Sequence, residues 1–506
     1  MGNIRKQTIV SSILIYAGFA IGALNIYFYT AQTPLAIYPH GQTFAPDQYG
    51  LTRVFFDFSQ IAFNFGALGV IPVVYKFYPY YKDNLPEKDI DLTSWALVIA
   101  TIGFLFVLLG GWIFKPLMVR KFSEKSRLLI DYYFWLFPFI AGMLFFSVLE
   151  SFAWALHKSV LSNFLKETGF RILTTILIAL YFLHLIDYTW FIYLFSLQYL
   201  VVFGILLIYL IRTGRLRLHF RISRVTRKFW KKMVSMQALL YSGTCIVALA
   251  ATIDSIIIAG LKGLGTAGIF VFAQYAANLI QAPQRSILSI SAGVLSRSWK
   301  EKNYQEINRV YARSCINLLL LSLLVFGNLW LNILPAIDVL HLQSVYKDGI
   351  ATLFVLGMVR IVDAGTGLNA MVINTSTFWR FDFYSGVVLL ILRLPLTFYL
   401  ITKYGIIGSA FAELIAYSIY NFIRYEFLRR KFNMQPFNLK TLFAIIWSVS
   451  CYLLTWWMLH KMGGWTGLFL RSILFSGLMF AGIFYFRFTP DAHQLYETWR
   501  KRMGKK

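Results

Sequence analysis

Charge is scarce in this sequence: only 14% of its 506 residues are Asp, Glu, Lys or Arg, where an ordinary soluble domain carries roughly 25%. Water is therefore not its main solvent. Cysteine is almost absent. Cys245, Cys315 and Cys451 are scattered through apolar stretches, a pattern that excludes a disulfide framework and offers no metal-type spacing. The seven histidines are dispersed. No Gly-Lys-Ser/Thr phosphate loop, His-Glu-x-x-His or Gly-x-Ser-x-Gly occurs, so catalytic residues and bound metal are both expected to be none. Long hydrophilic stretches are missing too. That leaves no room for a nucleotide-binding domain, and ATP-driven transport would need a separate subunit.

What is present is apolar: 58% of residues are hydrophobic and 18% aromatic. A helix needs about 20 mainly apolar residues to cross about 30 Å of hydrocarbon. Fourteen stretches meet that need, at 8–29, 50–75, 93–114, 130–156, 159–184, 188–211, 233–259, 266–290, 311–334, 350–375, 382–402, 405–427, 440–460 and 466–487. The expected fold class is all-α, a polytopic membrane protein of about 14 transmembrane helices. Arg5 and Lys6 precede the first run, Ile9 to Tyr29, which is too long for a cleaved signal core and reads as a retained span.

Lys and Arg are expected to concentrate in inside loops. With both termini cytoplasmic, and with 285–313 and 424–440 counted as wet inside edges, 34 of the 48 fall inside and nine outside, while Arg53, Arg171, Arg360, Arg393 and Arg471 lie within spans. One outside loop dissents, at 115–129, with Lys115, Arg120, Lys121, Lys125 and Arg127. In a soluble protein a net charge of +26 would suggest nucleic acid. Here the cations set topology and touch anionic headgroups, so membrane lipids are expected partners and nucleic acid is not.

The longest basic stretch, 212–232, follows the sixth span. Tyr16-Ala17-Gly18 in the first span resembles Tyr241-Ser242-Gly243 in the seventh, and Asp47-Gln48-Tyr49-Gly50-Leu51 is matched by Gly265-Thr266-Ala267-Gly268-Ile269. These repeats divide the chain into two pseudo-symmetric six-helix lobes plus two C-terminal helices. The expected boundaries are 1–211 for the first lobe, 212–232 for a cytoplasmic linker, 233–428 for the second lobe, and 429–506 for the last two spans with a basic tail.

A charge at mid-bilayer costs at least ~2.5–3.5 kcal/mol on insertion scales, so intramembrane charges are the candidate site. Arg53 and Asp57 stand four apart, Glu167 and Arg171 four apart beside Lys166, and Arg360 and Asp363 three apart. Each spacing puts opposite charges on one helix face, where they can pair. Asp254, Arg285, Glu413 and Arg393 complete the set, the last with no opposite charge within four residues. Gln274, Asn278 and Gln281 follow a helical stripe that either glues helices together or lines a polar path. Pro72, Pro283 and Pro395 mark candidate hinges.

The segment Lys403-Tyr404-Gly405-Ile406-Ile407-Gly408-Ser409-Ala410-Phe411-Ala412-Glu413 looks like the Tyr-Gly-Ile-x-Gly-x-Ala start of span twelve in polysaccharide-export flippases, and Pro46-Asp47-Gln48-Tyr49-Gly50 resembles their Pro-x-x-Tyr-Gly. With fourteen spans and a midpoint basic linker, the chain resembles, over essentially its whole length, the Wzx-type branch of the multidrug/oligosaccharidyl-lipid/polysaccharide exporter superfamily. The resemblance implies a non-enzyme in the bacterial cytoplasmic membrane that flips an undecaprenyl-diphosphate-linked glycan by alternating access, with a polysaccharide polymerase and chain-length proteins as further partners. Depth and chemistry assign Arg53, Arg285, Arg360, Arg393, Asn278 and Gln274 to the sugar-diphosphate head. Asp57, Asp254 and Asp363 are assigned to coupling with H+ or Na+, and no cofactor is expected. A lipid II flippase and a cation-coupled multidrug exporter are the alternatives within the superfamily. A membrane glycosyl- or acyltransferase or an O-antigen polymerase would need a large outside loop or an embedded His/Asp set.

Overall fold

A computed structural model describes residues 2–32, 42–156, 159–216 and 218–491. Residues 33–41 of the loop expected outside, His157, Lys158, Arg217 and the basic tail past 491 lie outside the described residues. The chain forms two compact units, Met1–Gly268 and Ile269–Lys506. In the first unit the helices are α1 (Gly2–Thr30), α2 (Pro46–Gly66), α3 (Val70–Asn84), α4 (Leu92–Phe122), α5 (Arg127–Asp131), α6 (Leu136–Ala155), α7 (Ser159–Asn163), α8 (Phe170–Phe182), α9 (Tyr188–Arg212) and α10 (Arg224–Lys262). Helix α11 (Leu264–Asn278) carries the chain into the second unit. There follow α12 (Ala282–Lys300), α13 (Tyr304–Val339), α14 (Ile350–Gly365), α15 (Asn369–Asn374), α16 (Trp379–Tyr404), α17 (Ile406–Phe432), α18 (Leu439–Leu459) and α19 (Gly464–Tyr485).

Among the described residues nine helices are long and apolar enough to cross a bilayer, and the bent pair α2–α3 makes a tenth. The other four expected spans are helical as well: α1 runs for 29 residues, and three spans are interrupted helices. The all-α, multi-pass reading of the sequence is thus the observed one.

Each interruption has a local cause. Between α2 and α3 the chain turns by 49° through Leu68 and Gly69 at positive φ, and Pro72 follows in the first turn of α3. Between α7 and α8 lies a π-helical stretch, Phe164–Gly169, the kind of insertion that concentrates at functional sites. Between α11 and α12 a 3-10 turn, Leu279–Gln281, precedes Pro283, which has no N–H to donate. Between α14 and α15, Gly367 sits at φ 69°, its bare Cα facing Ser314 and Cys315. Pro395, by contrast, lies inside an unbroken α16.

The basic stretch after the sixth span is shared between a short connection and the first turns of α10. Asp91, at the start of α4, fixes it: its Oδ2 accepts from the Ser223 amide (2.9 Å) and the Thr226 hydroxyl (2.7 Å). Helix α10, with 39 residues, is about 58 Å long, so its cationic first turns extend beyond a hydrocarbon core of about 30 Å.

In the second unit, α19 docks on α13 by a polar ladder. Asn328 Nδ2 donates to Ser476 (3.1 Å) and Asn332 Nδ2 to Ser472 (2.9 Å), while Gly327 leaves room for the Phe475 ring. Near its base, Asn317 and Arg313 bond to Asp491 at 2.6 and 3.2 Å.

Two of the repeated sequence motifs meet. Asp47 Oδ1 accepts the Gly265 amide at 2.5 Å, and the Cα of Gly50 lies against the Leu264 carbonyl and Gly268. A side chain at Gly50 would strike backbone, which cannot give way as a flexible side chain can. The Tyr16–Gly18 and Tyr241–Gly243 matches differ in packing. Gly18 lies against the Glu167 carbonyl, whereas Gly243 has open space around it. Gly50→Val should therefore lower the melting temperature of the detergent-solubilised protein by several degrees, an overpacking cost of about 1–3 kcal/mol. Gly243→Ala should leave it unchanged. Equal melting of the two variants would contradict this packing.

Candidate functional site

Helix α17 carries a polar stripe in an otherwise apolar span. Glu413, Tyr417, Tyr420, Asn421 and Arg424 recur at intervals of three and four, which keeps them on one face. Its opposite partners are α14 and α16. The approach is close because the buried residues near the start of α17 are small: Gly408, Ser409, Ala410, Ala412 and Ala416. Gly405, at φ 67°, reverses the chain from α16, and Gly408 lies against the Leu400 carbonyl. The Tyr-Gly-Ile-x-Gly-x-Ala motif is thus a tight antiparallel helix hairpin.

At its centre Glu413 holds two arginines. Arg360 NH1 of α14 is 3.0 Å from Glu413 Oε1, and Arg393 NH2 of α16 is 3.1 Å from Oε2. All three side chains are buried, Glu413 and Arg393 at 1% exposure and Arg360 at 6%. Arg393 also lies over the Tyr417 ring, 5.7 Å from its centroid. One carboxylate thus serves two guanidiniums, leaving the triad with one positive charge in excess. Arg360 Nε is buried and has no acceptor among the described residues.

The pairing of Arg360 with Asp363 suggested by their spacing is not observed. Asp363 instead accepts from Gln281 Nε2 at 2.7 Å and Asn421 Nδ2 at 3.2 Å. Asn421 in turn accepts from Asn369 (2.8 Å) and Thr366 (3.0 Å). The 3-10 turn explains the partner change: it takes Gln281 off the regular helical stripe of Gln274 and Asn278 and delivers it to α14. Further along α17, Arg424 pairs with Asp382, bonds Ser385 through Nε at 3.1 Å, and stacks on Tyr420 at 3.9 Å. Sequence reading put Arg424 at a wet helix edge and did not single out Asp382. The stripe extending from Glu413 was the signal that could have found them.

In the first unit, Asp57 of α2 accepts a hydrogen bond from Ser255 of α10, and Asp254, next to it, is buried at 1% exposure. The structure therefore brings Asp57 and Asp254, distant in sequence, to one helix crossing. Arg53 makes no ion pair with Asp57 among the described residues. Its guanidinium lies over the Tyr49 ring at 5.1 Å, and its buried Nε lacks an acceptor there. The Glu167–Arg171 pair does form, at 3.0 Å on the π stretch, and Lys166 bonds the buried Glu150 at 2.9 Å. Asn25 of α1 ties in by donating to the Arg171 carbonyl (2.9 Å) and accepting from Thr175 (2.7 Å).

Gln274 and Asn278 are half-buried on α11 and take no part in the Asp363 network. The side chain of Arg285 lies outside the described residues. No cluster of three or more His, Cys, Asp or Glu suited to a metal ion occurs among the described residues.

No protein-family model and no curated protein matches the sequence. Solved structures do match in fold. An inward closed lipid II flippase, MurJ, is 17% identical with a TM-score of 0.68, covering 95% of this chain and 98% of that one. An inward-facing multidrug resistance MATE family transporter of the MOP superfamily is 12% identical with a TM-score of 0.62, covering 83% and 94%. A MOP superfamily transporter from Pyrococcus furiosus, described as having a binding pocket of reverse polarity, is 12% identical with a TM-score of 0.55, covering 85% and 96%. The chain is thus a multi-pass membrane protein with the fold of these solved structures.

Removing one member of a buried ion group leaves an uncompensated charge, at a cost of about 3–5 kcal/mol. Glu413→Gln should accordingly melt well below wild type in detergent. Glu413→Gln/Arg360→Met should recover part of the loss, because Arg393 then faces no second cation. A Glu413→Gln protein with unchanged melting would show the triad to be energetically idle.

Proposed function

We propose that this protein is a flippase that moves a polyprenyl-diphosphate-linked oligosaccharide across the cytoplasmic membrane by alternating access. The reading is carried by the Arg360–Glu413–Arg393 triad, a buried site with cationic excess whose Arg360 Nε has no acceptor among the described residues. Hydrocarbon excludes the sugar-diphosphate head and accepts the prenyl tail, so a flippase must supply the head with cations and donors inside the bilayer. Arginine suits a diphosphate because its planar fork donates to two oxygens at once. Arg53, with a buried Nε also lacking an acceptor, is assigned to the same head, as are Arg285, Gln274 and Asn278. The polysaccharide-export branch is favoured by the Tyr-Gly-Ile-x-Gly-x-Ala and Pro-x-x-Tyr-Gly motifs. Lipid II is the second reading, favoured by the likeness to the lipid II flippase across 95% of this chain.

Asp57, Asp254 and Asp363 are assigned to coupling with H+ or Na+. Asp57 is held by a single hydroxyl, whereas Asp363 is held by two amides, so Asp57 is the more exchangeable of these two.

The direct test is reconstitution into liposomes carrying a fluorescent lipid-linked oligosaccharide or lipid II. Leaflet transfer should be faster than in empty vesicles for the first lipid, and transfer of lipid II alone would select the second reading. No acceleration of either would overturn the proposal. Arg53→Gln should slow transfer about tenfold or more with melting unchanged, as expected for loss of one charge-assisted hydrogen bond to the head. In the same vesicles, Asp57→Asn should abolish the response to an imposed proton or sodium gradient. A variant that still responds would remove Asp57 from the coupling role.

A further inference from the structure

The cations at 115–129 are the exception in the charge distribution, because they lie at the end of α4 assigned to the outside. We infer that four of them, with Lys262, form a collar that binds the phosphate headgroups of anionic phospholipids.

Helix α4 has 31 residues, about 46 Å of helix against about 30 Å of hydrocarbon. Its last turns leave Leu109, Trp112, Ile113, Phe114 and Leu117 exposed, as a lipid-facing surface would be. Arg120 and Lys121 follow within one turn, so the cations begin where the apolar face ends.

The loop beyond α4 is held in place. Phe122 is buried and its ring lies where a side chain on Gly260 would touch it, at 3.4 Å. Ser126 Oγ donates to the Ala259 carbonyl at 2.6 Å, and the Lys125 carbonyl closes on Gly263. These contacts fasten the loop to the end of α10, which brings Lys262 to the same rim. Arg120, Lys121, Lys125, Arg127 and Lys262 are all exposed, and among the described residues none is ion-paired. Lys115 differs, resting on the Phe134 ring at 4.3 Å. Three exposed acids, Glu124, Asp131 and the Asp47 that accepts from the Gly265 amide, still leave the five cations in excess.

The position selects the occupant. A soluble anion would have no use for the apolar surface one turn away, whereas a phospholipid covers it with acyl chain while its phosphate meets the cations. Attraction of this kind falls off within a Debye length, so it should be sensitive to salt.

Because Cys245, Cys315 and Cys451 are buried, a fluorophore on Ser123→Cys would report from the collar selectively. The full chain, so labelled, is placed in phosphatidylcholine vesicles containing either phosphatidylglycerol or phosphatidylcholine with a nitroxide near the headgroup. Phosphatidylglycerol should quench about two- to fivefold better. The preference should vanish at high salt and in Arg120→Gln/Lys121→Gln/Lys125→Gln/Arg127→Gln, with melting unchanged. It should persist when Lys228, Lys231 and Lys232 are neutralised. Equal quenching by the two lipids, or a preference that survives loss of the four cations, would overturn the inference. So would stronger quenching by a nitroxide-labelled polyprenyl diphosphate at equal mole fraction, which would give the collar to a cargo lipid.

Discussion

A charge left alone in hydrocarbon is too costly to keep, and the second unit is organised around satisfying that constraint. Glu413 answers Arg360 and Arg393 together, so α14, α16 and α17 must converge on one point. The small residues Gly408, Ala410, Ala412 and Ala416 let them do so. Once α17 is fixed, its stripe brings Asn421 to Asp363 and Arg424 to Asp382. Packing and charge therefore agree on one arrangement, as expected of a sequence whose local and global preferences coincide.

The first unit treats its charges differently. Arg53 and Asp57 are half-buried and lean on a tyrosine ring and a serine hydroxyl, not on each other. Neutral or aromatic partners hold an ion less firmly than a counter-ion does. Charges so held are free to exchange partners. The π stretch at Phe164–Gly169 is a middle case. Its Glu167–Arg171 and Lys166–Glu150 pairs are formed, but Lys166 and Arg171 keep part of their surface open.

Much of the fold was legible because bilayer thickness sets helix length, so apolar runs alone mark the spans. Glu167–Arg171 was legible for a similar reason: its spacing of four is the helical repeat. Arg360 misled for the same reason. Its nearest opposite charge on one face is Asp363, yet its actual partner lies 53 positions away on α17, and only tertiary packing selects between them. The stripe of Gln274, Asn278 and Gln281 assumed one regular helix, and the turn at Leu279–Gln281 broke that assumption. Asp57 and Asp254 were recognisable as candidates singly, but their convergence across α2 and α10 has no local pattern in the chain.

The ladder between α13 and α19 bears on how the protein is made. Asn328 and Asn332 emerge from the ribosome some 140 residues before Ser472 and Ser476. In the finished fold each amide also donates to its own helix, Asn328 to the Leu324 carbonyl (2.9 Å) and Asn332 to the Asn328 carbonyl (3.0 Å). A nascent α13 therefore carries its own provisional partners while it waits in the bilayer. The late-synthesised hairpin arrives at a surface already tolerable to lipid, and its serines then recruit amides that were never bare. Register is read at the end of synthesis, when Phe475 finds the gap left by Gly327.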